Sequence, residues 1–148
     1  MNKVLLGLIC VVLVSPVFSH EFSPAHLIIE EDADFKYEVT WMYPIRNLGP
    51  VNLTLPNDCQ SNSLETFQES KYLSEKISLQ CNDSIKGKDI FIKGLSILND
   101  ALVTIKFLDG ERYEGLVSVK DSKLTIPQEL QVIPMGYFML GVEHLVGG

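Results

Sequence analysis

The chain has 148 residues, a formal charge of −7 and 46% hydrophobic content. That length fits one domain with appendages, and the composition is ordinary for a globular fold and too apolar for disorder. The acidic balance, with no cluster of Lys and Arg, argues against a nucleic-acid partner and against docking on anionic lipid.

Residues 1–19 read as a secretory signal peptide. Lys3 supplies the positive start, Val4 to Val14 the apolar core, and Pro16-Val17-Phe18-Ser19 a break ending in a small residue, with cleavage expected after Ser19. An uncleaved anchor is the alternative, although the apolar run is short for a transmembrane span. Removing Lys3 with the leader leaves 11 basic and 19 acidic side chains, a charge of −8.

In chain order, Ala25 to Glu30 is a first strand, followed by the acidic turn Glu31-Asp32-Ala33-Asp34. From Phe35 to Tyr43 the residues alternate, with Phe35, Tyr37, Val39, Trp41 and Tyr43 on one side. A period of two in aromatic and β-branched residues is a strong strand signal. It places Trp41 in the core. Val51 to Leu55 alternates again before Pro56, and Asn57 to Ser63 is a polar piece. Leu64 to Tyr72 fits a helical turn or a strand. Leu73 to Cys81 is a strand with Ile77, Leu79 and Cys81 on one face, Asn82 to Lys88 a loop, and Asp89 to Leu95 a strand. Ala101 to Phe107 and Glu111 to Val119 form a hairpin about Asp109-Gly110. Leu124-Thr125-Ile126, closed by Pro127, is the last strand. Short strands separated by turn residues predict an all-β fold: an antiparallel β-sandwich, immunoglobulin-like, over residues 20–127.

Residues 128–148 break this pattern. They read as a linker bounded by Pro127 and Pro134, then a short helix directed toward a membrane from Tyr137 on. A helix packed on the sandwich is the alternative, because so short an apolar run does not separate the two.

Two cysteines follow the leader, Cys59 and Cys81. In an exported chain an even count points to a disulfide. A metal site built on both thiolates is the other reading. The sequence lacks a glycine-rich phosphate loop, a Gly-x-Ser-x-Gly elbow and a His-Glu-x-x-His pair, so it is read as a non-enzyme. Metal chemistry has two candidate places. Cleavage after Ser19 would free the amine of His20 beside its imidazole, with Glu21 and His26 close in sequence. The other place is Glu143-His144, whose side chains diverge by about 100° on a helix and need further ligands. Asn52-Leu53-Thr54 and Asn82-Asp83-Ser84 match the glycosylation pattern, which matters only in a host that glycosylates exported chains.

An ordered set of motifs resembles the HupE/UreJ family. It comprises the opening His20-Glu21 with Pro24-Ala25, the strand Val39-Thr40-Trp41, and Leu55-Pro56 followed by Cys59 and Cys81. Ile90-Phe91-Ile92-Lys93-Gly94-Leu95 and the closing Gly141-Val142-Glu143-His144 complete it. The resemblance spans nearly all of the chain beyond the leader. It implies an extracytoplasmic domain joined to a helical membrane domain, and it also implies the cysteine pair. In that family the His opens a motif associated with transport of nickel or related metals, and this sequence stops before the Asp-His that would follow. The expectation is an exported, periplasmic or extracellular, membrane-associated domain without the transport part. Its expected partners are the membrane and another protein, and its expected metal is nickel or another divalent cation. A self-standing exported binding module is the second expectation.

Overall fold

A computed structural model describes residues 23–46, 49–96 and 100–130. Nine strands make up its regular structure: β1 (Ala25–Ala33), β2 (Lys36–Pro44), β3 (Asn52–Thr54), β4 (Cys59–Glu69), β5 (Tyr72–Cys81), β6 (Asp89–Lys93), β7 (Ala101–Lys106), β8 (Arg112–Val117) and β9 (Lys123–Thr125). They form a β-sandwich of a six-stranded sheet, in the order β4-β5-β2-β1-β7-β8, and a three-stranded sheet, β3-β6-β9.

The alternation read from the sequence fixes the inner face. Leu27 and Ile29 of β1, Tyr37, Val39 and Trp41 of β2, Leu79 of β5, and Val103 and Ile105 of β7 are all buried in one core. Ile90 and Ile92 of β6 and Leu124 of β9 meet them from the smaller sheet. Apolar side chains at every second position place one face of each strand away from water, and that burial is the main favourable term in folding. Trp41 is buried, as expected from its place in the alternating run.

Several features differ from the sequence reading, beginning with β1, which runs through most of the expected acidic turn Glu31-Asp32-Ala33-Asp34 to end at Ala33. The sheet is mixed, because β1 pairs with β7 in parallel, from Ala25↔Ala101 to Glu30↔Lys106, whereas its other neighbour β2 is antiparallel. Alternation reports which face a residue occupies and is silent about strand direction. Phe35 leaves the strand face: it occupies the β1–β2 turn at φ 58° and is exposed. The polar piece and the ambiguous piece together are one long strand, β4, paired with β5 from Cys59↔Cys81 to Glu69↔Tyr72, with a bulge between Ser63 and Glu65. Lastly, β6 ends at Lys93, short of the expected Leu95. The Asp109-Gly110 hairpin is as expected, with Gly110 at φ 86° and the Phe107 amide donating to the Glu111 carbonyl at 3.0 Å. The expected leader, with residues 20–22, and the segment from residue 131 on, where the membrane-directed helix is expected, lie outside the described residues.

Candidate functional cleft

The two sheets differ in width, and that mismatch creates the site. At one end of the sandwich β9 packs on β8, with Leu124 against Gly115. At the other end the smaller sheet stops at β3, and nothing in the described chain continues it over β4. Both faces of β4 are therefore open: apart from the half-buried Cys59 and Phe67, all of its residues are exposed.

The consequence is a half-open cleft of about 520 Å³. One wall is β3 and its continuation Leu55-Pro56-Asn57, the floor is Trp41 and Tyr43 of β2 with Glu75 and Ile77 of β5, and the far wall is Cys59 and Ser61 of β4. The chain entering β3 is held by a close approach: a Cβ on Gly94, which has φ 89°, would lie 2.2 Å from the Pro50 carbonyl oxygen. Only glycine tolerates that conformation and that contact.

The inner side of β4 is hydroxylic. Ser61 and Ser63 lie opposite Leu79 and Ile77, and beyond the bulge Thr66 lies opposite Glu75. Glu75 in turn lies opposite Trp41. The Ser63 hydroxyl donates to Glu75 Oε1 at 2.9 Å. Among the described residues Glu75 has no Lys, Arg or His within ion-pair distance. Among the described residues the half-buried Glu75 thus has one neutral donor, with the Trp41 and Tyr43 rings beside it, their centroids 5.8 Å apart and their planes tilted by 34°.

The cleft is stapled at one end. Cys59 and Cys81 form a disulfide between facing residues whose Cα atoms are 4.1 Å apart. This removes the reading of the pair as thiolate metal ligands. Lys88 bridges both flanks of the staple, pairing with Asp58 and with Asp83. Burial works against its charge, yet the two carboxylates outweigh it and raise the ammonium above its ordinary value. The Lys88 contact in turn holds the Asp58 carboxyl below the usual range. Lys86 makes a similar clamp at the β7–β8 hairpin with Asp109 and Glu111, 4.7 Å over the Phe107 ring. Glu111 is the main cause of its raised value.

The other sequence candidates fall elsewhere. His20, Glu143 and His144 lie outside the described residues. His26 sits on the outer face of β1, in edge contact with Tyr72 at 5.9 Å, and burial lowers its pKa. Among the described residues no three His, Cys, Asp or Glu side chains gather to hold a metal ion, and no helix is long and apolar enough to cross a membrane. The sequence reading did not single out Glu75, Ser63 or the open side of β3. The run of small hydroxyls at alternate positions, Ser61 and Ser63, was the signal available. Comparison with family models, with curated proteins and with solved structures gives no match for the chain.

Proposed function

We propose that this chain is an exported recognition domain that binds a partner in the cleft between β3 and β4. The observation that carries the reading is Glu75: a half-buried carboxylate without a cationic partner among the described residues, at the floor of an open cleft. Pockets with a few convergent polar groups are the usual binding sites. The leader-like residues 1–19 and the disulfide support export. The motif resemblance to HupE/UreJ proteins supports an extracytoplasmic domain attached to a membrane part that handles nickel or a related cation. In that reading His20, Glu143 and His144 belong to metal handling, and the cleft belongs to partner recognition. The sandwich itself implies no activity, because function resides in sites and not in folds.

The test is an amide-resonance titration of the processed, oxidised chain with separate cocktails of amines, carboxylic acids, saccharides, short peptides and nickel ion. The expected result is shifts concentrated on 52–57, 61–63 and 75 for at least one organic class. Shifts only on the outer face of β1 and β2, or none with any class, would refute the cleft as the binding site. Nickel shifts that vanish in His20→Ala or His144→Ala would assign the metal to those residues.

A further inference from the structure

Resting on the reading of the cleft as a binding site, we infer that its occupant is an extended peptide segment. That segment adds a strand beside β3 and inserts a Lys or Arg side chain toward Glu75.

The first ground is the open edge. β3 pairs with β6 on one side, from Asn52↔Lys93 to Thr54↔Phe91. Its other side faces the cleft, and among the described residues no strand or backbone hydrogen bond is made there. Unpaired backbone groups on an edge are a template for another strand. A strand placed about 4.8 Å beyond β3 would run over β5 and β4, about 10 Å above them, where no strand of the described residues continues the smaller sheet. The cleft follows seven consecutive residues, Val51 to Asn57, which suits an extended ligand better than a compact one.

The second ground is the chemistry facing that strand. An ordinary sandwich strand would present apolar side chains inward. Here they would meet Ser61, Ser63, Thr66 and Glu75, and burying those groups without partners is unfavourable. A Lys or Arg side chain resolves the conflict. Its methylene stem lies along Tyr43 and Ile77, and its head donates to the Glu75 carboxylate. Charge favours the same partner, since the chain carries −7 and Glu75 has no cation of its own among the described residues.

Two other ligand classes fit less well. A saccharide wants a broad open aromatic face to stack on, and of the two rings at the floor Trp41 is only 1% exposed and Tyr43 is half-buried. A divalent cation needs several oxygen or nitrogen ligands, and the cleft offers a single carboxylate.

The test uses the oxidised chain and nine-residue peptides of alternating Thr and Val, identical except for a central Lys, Arg, norleucine or Glu. Calorimetry and amide titration give affinity and location. The Lys and Arg peptides should bind at least tenfold more tightly than norleucine, with the Glu peptide weakest. The amides of 52–54 should gain protection from exchange. Glu75→Gln keeps the side-chain shape and the capacity to accept from Ser63, and should erase the preference for Lys over norleucine. Methylating alternate peptide nitrogens, which blocks strand pairing, should abolish binding. Equal binding of Lys and norleucine peptides, a preference that survives in Glu75→Gln, binding by the methylated peptides, protection on β4 or β8 instead of β3, or no binding at millimolar peptide would each overturn the inference. If another cocktail class shifts the cleft amides while these peptides do not, the cleft stands and the peptide ligand falls.

Discussion

Reducing the Cys59–Cys81 bridge is the most informative perturbation, because β4 has so little else to hold it. Its residues bury little, so among the described residues its attachment rests mainly on backbone pairing with β5, the Ser63–Glu75 hydrogen bond and the staple. The two half-cystines are 22 residues apart. In the chain-entropy description a closed loop of that size restricts the unfolded chain by about 11 cal/mol/K, or about 3 kcal/mol at 25 °C. Reduction leaves every other side chain in place, so no cavity contribution enters, as it would on replacing the buried Cys81. With a urea slope of roughly 1.5 kcal/mol/M, the midpoint should fall by about 2 M. Total stabilities of roughly 5–15 kcal/mol leave the reduced chain folded but weakened. The assay is urea unfolding with and without a phosphine reductant, paired with amide exchange. Exchange should accelerate first across Gln60 to Glu69, while the amides of β1 and β2 keep their protection. A loss below about 1 kcal/mol, or acceleration spread evenly over both sheets, would show that β4 is held by contacts other than pairing and the bridge.

Three further outcomes follow from burial. Trp41→Ala should destabilise the fold by about 3–5 kcal/mol in urea unfolding, since the indole is 1% exposed; a loss under about 1 kcal/mol would reverse the assignment of faces. Ser74 is fully buried and its hydroxyl has no hydrogen-bond partner among the described residues. Ser74→Ala should therefore leave stability unchanged or raise it by up to about 1 kcal/mol, and a loss larger than that would reveal a hydrogen bond to the hydroxyl. Burial holds the His26 pKa below 6.5, with Tyr72, Met42 and Leu102 around it and no carboxylate paired with it among the described residues. The unfolded chain then takes a proton that the folded chain resists, so stability is full above pH 6.5 and declines as pH falls through the folded value. His26→Gln should remove that decline, measured by unfolding at pH 7.5, 6.5 and 5.5. The carboxylates of Asp58, Asp89 and Asp109, lowered from 3.8, lose their contribution only at more acidic pH.

Strands with one covered face were legible in the sequence. In β2 the buried Tyr37, Val39 and Trp41 alternate with the less buried Glu38, Thr40 and Met42, and the pattern reads directly. β4 was illegible for the opposite reason. With neither face covered, its residues have no apolar period to show, and Cys59 to Ser63 reads as a polar loop. The parallel partnership of β1 with β7 was hidden too, because two-residue periodicity is the same in either direction. The cleft was the least legible part. Bringing Ser63 to Glu75 depends on the β4–β5 register and on the bulge after Ser63, which shifts the pairing by one residue. A one-residue slip in a strand exchanges its two faces, so no local reading places Thr66 on the same face as Ser63.

The bare strand and the staple explain each other. A long exposed edge invites pairing with other chains, and this one carries Glu65, Glu69 and a bulge, which discourage it. Covering β4 with a fourth strand of the smaller sheet would protect its inner face, but it would also fill the cleft. The disulfide anchors β4 without covering it, and Lys88 ties Asp58 and Asp83 across the same end. Stability is supplied by a covalent link at one end, and the inner hydroxyls and Glu75 stay accessible along the rest. The cleft and the bridge therefore form one unit: under reducing conditions the far wall of the site should loosen before the sandwich unfolds, and recognition should fail while the core around Trp41 is still intact.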